Sequence, residues 1–148
     1  RMFPASAVVK KELFPVVGPD GECKPVALAI VESLVAAGIE KIIFVVQARD
    51  IPVFQGFFRL EALGGNEARL KPAAQARAER IRALGNIIEY AVQETQDGFG
   101  HAVWCARERV LATLPEHQQD APFLLALGDH LYRRGHGLCR PAAAQLAE

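Results

Sequence analysis

The chain is short of serine, of cysteine and of net charge, and it has no apolar run long enough to leave water. Only two serines are present, Ser6 and Ser33, and neither sits in a nucleophile-elbow sequence, so serine-triad hydrolysis has no starting point. Three cysteines, Cys23, Cys105 and Cys139, are odd in number and far apart, which argues against a disulfide framework and suits a reducing cytoplasm. Cys105 stands among Val103, Trp104 and Ala106 and reads as a buried thiol acting as a small apolar side chain. The longest apolar runs, such as Ile42 to Val46, fall far short of a bilayer, and no charged-then-apolar leader precedes a cleavage-like site. No membrane partner is expected. Lysine and arginine together number 17 and are balanced by 17 acidic residues, leaving no global field to draw the chain to nucleic acid or anionic lipid.

What is present is apolar and alternating. With 148 residues and 51% hydrophobic content the chain fits one domain with a substantial core. Residues 1 to 17, with two prolines, read as an extended loop, and Gly18-Pro19-Asp20-Gly21 as a turn. Ala27, Ile30, Val31, Leu34 and Val35 recur at helical spacing up to Gly38, so a helix is predicted over 26 to 37. Ile42 to Val46 is a continuous β-branched and aromatic run of the kind buried on both faces of a parallel sheet. A short helix packed by Phe54, Phe57 and Phe58 is expected within 50 to 66, and a helix over 73 to 84, ended by Gly85-Asn86. A strand to Val92, a helix from about His101 to Leu111, and a further strand over Pro122 to Leu127 complete the pattern. This alternation predicts an α/β fold, a Rossmann-like, mostly parallel sheet with helices on both faces.

The stretch Val92 to Val103, VQETQDGFGHAV, occupies a strand-to-helix corner, where open α/β sheets bind ligands. Gly98 and Gly100 permit close backbone approach, and the Gln93 amide offers a donor and an acceptor, so a flat heterocycle is one reading of this loop. Simple turn chemistry is the other. Asp129 directly follows the apolar run at 122 to 127, and such an acid projects at the same carboxyl edge. It is a candidate ligand for a hard cation such as Mg²⁺, or else a turn aspartate. Arg1, Lys10 and Lys11 put three cations in a segment anchored by Phe3, Leu13, Phe14 and Val16, suited to phosphates or merely solvated. Arg77, Arg80 and Arg82 do not share one helix face, and Glu79 breaks the run, so a solvated face fits better than a nucleic-acid stripe. His130, His136 and Cys139 match no zinc spacing.

Taken in order, RMFPAS with KKELFPVV, then KPVALAIVESLVAAGIEKIIFVV, then VQETQDGFGHAV, then FLLALGDH, the chain resembles the sugar-1-phosphate nucleotidyltransferases, among them the bacterial enzymes that uridylylate glucose 1-phosphate. The resemblance runs from Arg1 to about Tyr132 and is least specific over 47 to 86. It implies that Arg1 ends a glycine-rich nucleotide loop, that Lys11 binds phosphates, that Gln93 and Gly98 recognise the base, and that Asp129 binds Mg²⁺. Lys10 stands where the family usually has proline, and Ala7 where its uridylyltransferases often have lysine. The implied partners are small molecules, an NTP (UTP) and a sugar 1-phosphate, with a homo-oligomer as the expected state of the intact protein. The first strand with its glycine-rich loop and the later sugar-binding part are expected to lie outside this stretch, which makes it the nucleotide-binding half of a catalytic domain, inactive alone. Alternatives of the same fold are thymidylyl or guanylyl transfer, or a regulatory module that binds a nucleotide without catalysis.

Overall fold

The computed structural model describes residues 3–18, 20–118 and 120–131. The chain divides into two compact units, one formed by 1–40 with 123–148 and the other by 41–122.

In the first unit, two turns of 3-10 helix, Ala5–Ala7 and Lys11–Leu13, lead into β1 (Pro15–Val17). This strand pairs antiparallel with β2 (Cys23–Pro25) in the register Pro15↔Pro25, Val16↔Lys24 and Val17↔Cys23. The predicted loop over 1 to 17 is therefore partly ordered into a hairpin arm. Three residues per strand are too few for period-2 alternation to register in the sequence. The turn is closed by the Gly18 N–H donating to the Glu22 carbonyl at 2.9 Å and by the Glu22 N–H donating to Asp20 Oδ1 at 3.0 Å. Helix α1 (Val26–Ala36) follows and buries Val26, Ala27, Leu28, Val31 and Leu34; of the predicted face Ala27, Val31 and Leu34 are buried, Ile30 is half-buried and Val35 is exposed. Gly38, at φ +91°, ends it: its N–H reaches the Val35 carbonyl and the Ile39 N–H reaches the Leu34 carbonyl, which satisfies two orphan acceptors of the last turn.

The second unit is built on β3 (Ile42–Val46) and β4 (Ile88–Val92), parallel and in register from Ile42↔Ile88 to Val46↔Val92. Between them run α2 (Ile51–Arg59) and α3 (Pro72–Asn86), the crossover that a parallel pair requires. Phe44 meets Phe54, Phe58 and Tyr90 edge-to-face at centroid distances of 5.5, 6.1 and 6.0 Å, so the phenylalanines of α2 cover the sheet face that carries Phe44 and Tyr90. Helix α4 (Phe99–Thr113) lies against the other face, where Glu89, one position out of phase with Tyr90, meets Arg109 at 3.7 Å.

Two sequence expectations need correction. Helix α3 does not stop before Gly85 but continues through Gly85 and Asn86. The glycine serves packing: a Cβ there would lie 2.8 Å from the Cβ of Phe58. Pro122 to Leu127 is not a strand, because an apolar run becomes one only through a ladder partner, and none borders it among the described residues. The sheets are thus two two-stranded pieces, one parallel and one antiparallel, in a mixed α/β architecture. No described helix is long and apolar enough to cross a membrane.

Candidate functional site

Lys11 opens a single 3-10 turn, and Asp129 lies in the turn that follows the irregular run 121–127. Though 118 positions apart, they meet: the Lys11 ammonium donates directly to an Asp129 carboxylate oxygen. The hydrogen bond from Lys11, with its positive charge, holds the Asp129 carboxyl below the usual carboxylate range, and the same bond raises Lys11 above an ordinary lysine. Glu12 stands 3.9 Å from the Lys11 ammonium, a second acid that sequence reasoning passed over although it is the next residue. A Cβ on Gly128 would lie 3.5 Å from Glu12 Cγ, which brings this side chain beside the Gly128-Asp129 turn.

The metal reading can be tested on these donors. Among the described residues no three metal-ligating side chains gather. A single hard carboxylate, Asp129, suits Mg²⁺, which keeps waters and takes substrate phosphates in place of an all-protein cage. Lys11 engages one oxygen of this carboxylate, and the other is the one Asp129 would offer the ion. His130, whose ring nitrogen is 3.9 Å from the Asp129 carboxylate, brings no cluster with it, and His136 and Cys139 lie outside the described residues, as does Arg1.

In the second unit the loop after β4 is closed by its own side chains. The Gln93 N–H donates to the Val46 carbonyl at 2.9 Å, extending the parallel ladder by one residue. Gly98, the N-cap of α4, has φ +90° and ψ −176°, a region open essentially to glycine. Its carbonyl accepts the Ala102 N–H at 3.2 Å and also Gln93 Nε2 at 3.2 Å. A carbonyl only accepts, so this contact fixes the amide's orientation and leaves Gln93 Oε1 as an acceptor with no hydrogen-bond partner among the described residues.

His101, one turn into α4, was not singled out by sequence reasoning as a site residue. Its Nδ1 lies 3.1 Å from the Thr95 carbonyl oxygen and 3.3 Å from Gln93 Nε2. Nδ1 faces a carbonyl, which only accepts, and an amide nitrogen, which only donates; the tautomer with the proton on Nδ1 makes the shorter contact, to Thr95, forgoes a hydrogen bond from Gln93, and leaves Nε2 to accept. The atom facing Nε2 is Cys105 Sγ, at 3.6 Å. Cys105 is half-buried and has a polar partner, so the apolar reading of this thiol is replaced.

The structure thus joins Lys11 with Asp129 in one unit and Gln93 with Gly98 in the other. Arg82, read in the sequence as solvated, is held by Glu67 in an ion pair.

The class that this fold defines is a mixed α/β protein with a parallel strand pair and a glycine-opened strand-to-helix corner. Within that class the chain is similar to proteins named UTP--glucose-1-phosphate uridylyltransferase. It is 32% identical over 134 residues to the protein of that name from Bacillus subtilis, covering 88% of this chain and 40% of the relative. The Salmonella typhimurium and Escherichia coli proteins of the same name are 34% and 33% identical over 132 residues, covering 87% of this chain and 39% of each relative. The chain thus spans about two fifths of the length of the curated relatives it matches. No family model matches it.

Proposed function

We propose that the protein transfers a uridylyl group from UTP to glucose 1-phosphate, forming the nucleotide sugar and releasing pyrophosphate. The observation that carries this reading is the meeting of Lys11 and Asp129 across 118 positions of sequence, in a chain similar to enzymes of that name. A phosphate of the sugar attacks the α-phosphorus of UTP through an oxygen, the new P–O bond forms, and the bond to the β-phosphate oxygen breaks. Such a transfer asks the protein for positioning and charge neutralisation, with no covalent nucleophile. Lys11 turns from Asp129 to the phosphate oxygens of the nucleotide, a switch open to an exposed, flexible pair. Asp129 is the residue that would hold Mg²⁺, which would supply further charge neutralisation for the transfer. Arg1 is assigned to the same phosphates on resemblance alone.

Base choice is assigned to Gln93. Its amide nitrogen is engaged by Gly98, so Oε1 is the atom offered to a ligand. Uracil presents an N–H at N3, where cytosine presents an acceptor, and an acceptor in the protein accordingly favours UTP over CTP. Thymine and guanine also carry an imide-type N–H, so Gln93 by itself does not separate uridylyl from thymidylyl or guanylyl transfer.

The test is pyrophosphate release by the full-length protein across NTPs and sugar 1-phosphates, with and without Mg²⁺. The expected result is turnover with UTP, glucose 1-phosphate and Mg²⁺ together, reduced about 100-fold or more in Lys11→Ala and in Asp129→Asn. Activity within a few-fold of the parent in both variants would remove the assigned roles. UTP binding without turnover under any pairing would favour the regulatory module instead.

A further inference from the structure

The thiol of Cys105 and the ring of His101 are arranged as a nucleophile and its proton acceptor, with a third group orienting the acceptor. Sγ is 3.6 Å from Nε2, and Nδ1 is held by the Thr95 carbonyl at 3.1 Å. This is the geometry by which a side-chain base activates a nucleophile. The transfer reaction proposed above uses no nucleophile from the protein, so this pair is surplus to it. The thiol also has access to a co-reactant. An open groove of about 530 Å³ runs between β4 and α4, bordered by Glu89, Cys105, Glu108 and Arg109, and it offers both signs of charge beside the sulfur.

We propose that Cys105, with His101 as its proton acceptor, is a thiol–disulfide exchange site that takes a small zwitterionic disulfide from this groove. The proton of Cys105 passes to His101 Nε2 as Sγ attacks one sulfur of the disulfide. A protein–ligand S–S bond forms, the ligand's own S–S bond breaks, and the departing thiolate takes up the proton. No net oxidation occurs, since the incoming disulfide is the oxidant and its second half leaves reduced. His101 is also the contact between this thiol and the loop after β4, through Thr95 and beside Gln93. A mixed disulfide on Sγ removes the hydrogen bond that holds the ring from below and needs space on the ring's side of α4. Modification is therefore expected to loosen the segment from Gln93 to His101.

The experiment uses the full-length protein and oxidised glutathione as the probe, with the site and rate of modification read by peptide mass mapping. Exposure alone favours Cys23, the exposed thiol, over the half-buried Cys105. Preferential labelling of Cys105 is the expected result, at least tenfold faster than Cys23. His101→Asn keeps a side-chain N–H for the Thr95 carbonyl but removes the Nε2 acceptor; it should slow Cys105 about tenfold or more and leave Cys23 unchanged. Labelling of Cys23 first, or equal rates at Cys105 in the parent and in His101→Asn, would overturn the proposal. Should that variant not fold, the comparison of the two thiols in the parent decides alone. Amide hydrogen exchange over 93 to 101 reads the coupling: faster exchange in the modified protein supports it, and unchanged exchange overturns it. None of these measurements depends on nucleotide transfer, so they stand or fall separately from it.

Discussion

At Gly98 the backbone holds φ +90° and ψ −176° while one carbonyl accepts from both Ala102 and Gln93. An added Cβ would meet nothing within 4 Å, so the cost of a side chain here is conformational and not steric. Gly98→Ala is expected to strain the corner by about 1–3 kcal/mol and to loosen the carbonyl that orients the Gln93 amide. Thermal unfolding and the ratio of UTP to CTP use, measured together, check it: stability should fall and base preference should narrow. Gln93→Ala should narrow the preference without the loss of stability. The exposed Lys11–Asp129 pair adds well under 1 kcal/mol to folding, because solvent screens it. What it adds is present across neutral pH, as the signs require. Asp129 sits below its ordinary value, so its share is lost in acid as pH falls through that lowered value; Lys11 sits above its own, so its share is lost in strong base as pH rises through the raised one. Lys24 differs in being 8% exposed, with Asp20 at 2.6 Å, Glu32 at 2.8 Å and Glu22 at 3.7 Å. Burial pulls its proton affinity down, and the hydrogen bonds to Asp20 and Glu32 more than offset this and raise it. Lys24→Met takes the shared cation from three carboxylates and should cost about 2 kcal/mol, less than the roughly 3–5 of a fully enclosed pair, because two of the acids are half exposed. Urea unfolding at neutral pH measures that loss.

Elements were legible where their apolar residues sit in one face's phase, and illegible where pairing or close approach decides. Helix α1 follows from Val26, Val31 and Leu34 with Gly38 as its stop, and β3 from a continuous β-branched and aromatic run. The phenylalanines of α2 were readable as packing residues, although the partner, Phe44, is known only from the fold. The candidate residues Lys11, Gln93, Gly98 and Asp129 were singled out from sequence by resemblance and by position after apolar runs, whereas the Lys11–Asp129 contact needs the chain folded back over 118 positions. His101 escaped because one histidine at a helix start carries no signal until Thr95 and Cys105 are beside it. Gly85 shows the same limit. A glycine followed by asparagine reads as a helix stop, but its meaning here is contact with Phe58. Gly85→Ala therefore sets two effects against each other: about 1 kcal/mol gained in helix propensity against roughly 1–3 kcal/mol of overpacking at a 2.8 Å approach. Overpacking should prevail, since the nearest atom is the Cβ of Phe58, which moves only with its backbone. Chemical denaturation should show a lower midpoint for Gly85→Ala, and a midpoint equal to or above the parent's would mean that α2 and α3 part easily.

For the whole molecule the balance lies between a modest core and much apolar surface left to solvent. Phe123 and Leu125 are 57% and 49% exposed on a run with no ladder partner among the described residues, and Phe3 and Val8 are more exposed still. Within the second unit, β3 and β4 have only each other, so each carries an open edge among the described residues. Open edges and unshielded apolar residues favour pairing between chains. Charge offers little resistance, because the formal net charge is zero at pH 7 and the isoelectric point is about 7.1. The 148-residue chain alone is therefore expected to self-associate most strongly near neutral pH. Moving the pH by about 2 in either direction should weaken association by giving every copy a charge of one sign. Phe123→Lys with Leu125→Lys should weaken it at neutral pH as well, because both side chains point to solvent and neither holds the core together. Sedimentation velocity over a concentration series provides the measurement. A mass that grows with concentration in the parent and stays monomeric in the double variant would locate the sticking surface at 123 to 125. A parent that stays monomeric throughout at neutral pH would show that its open edges are covered within the chain itself.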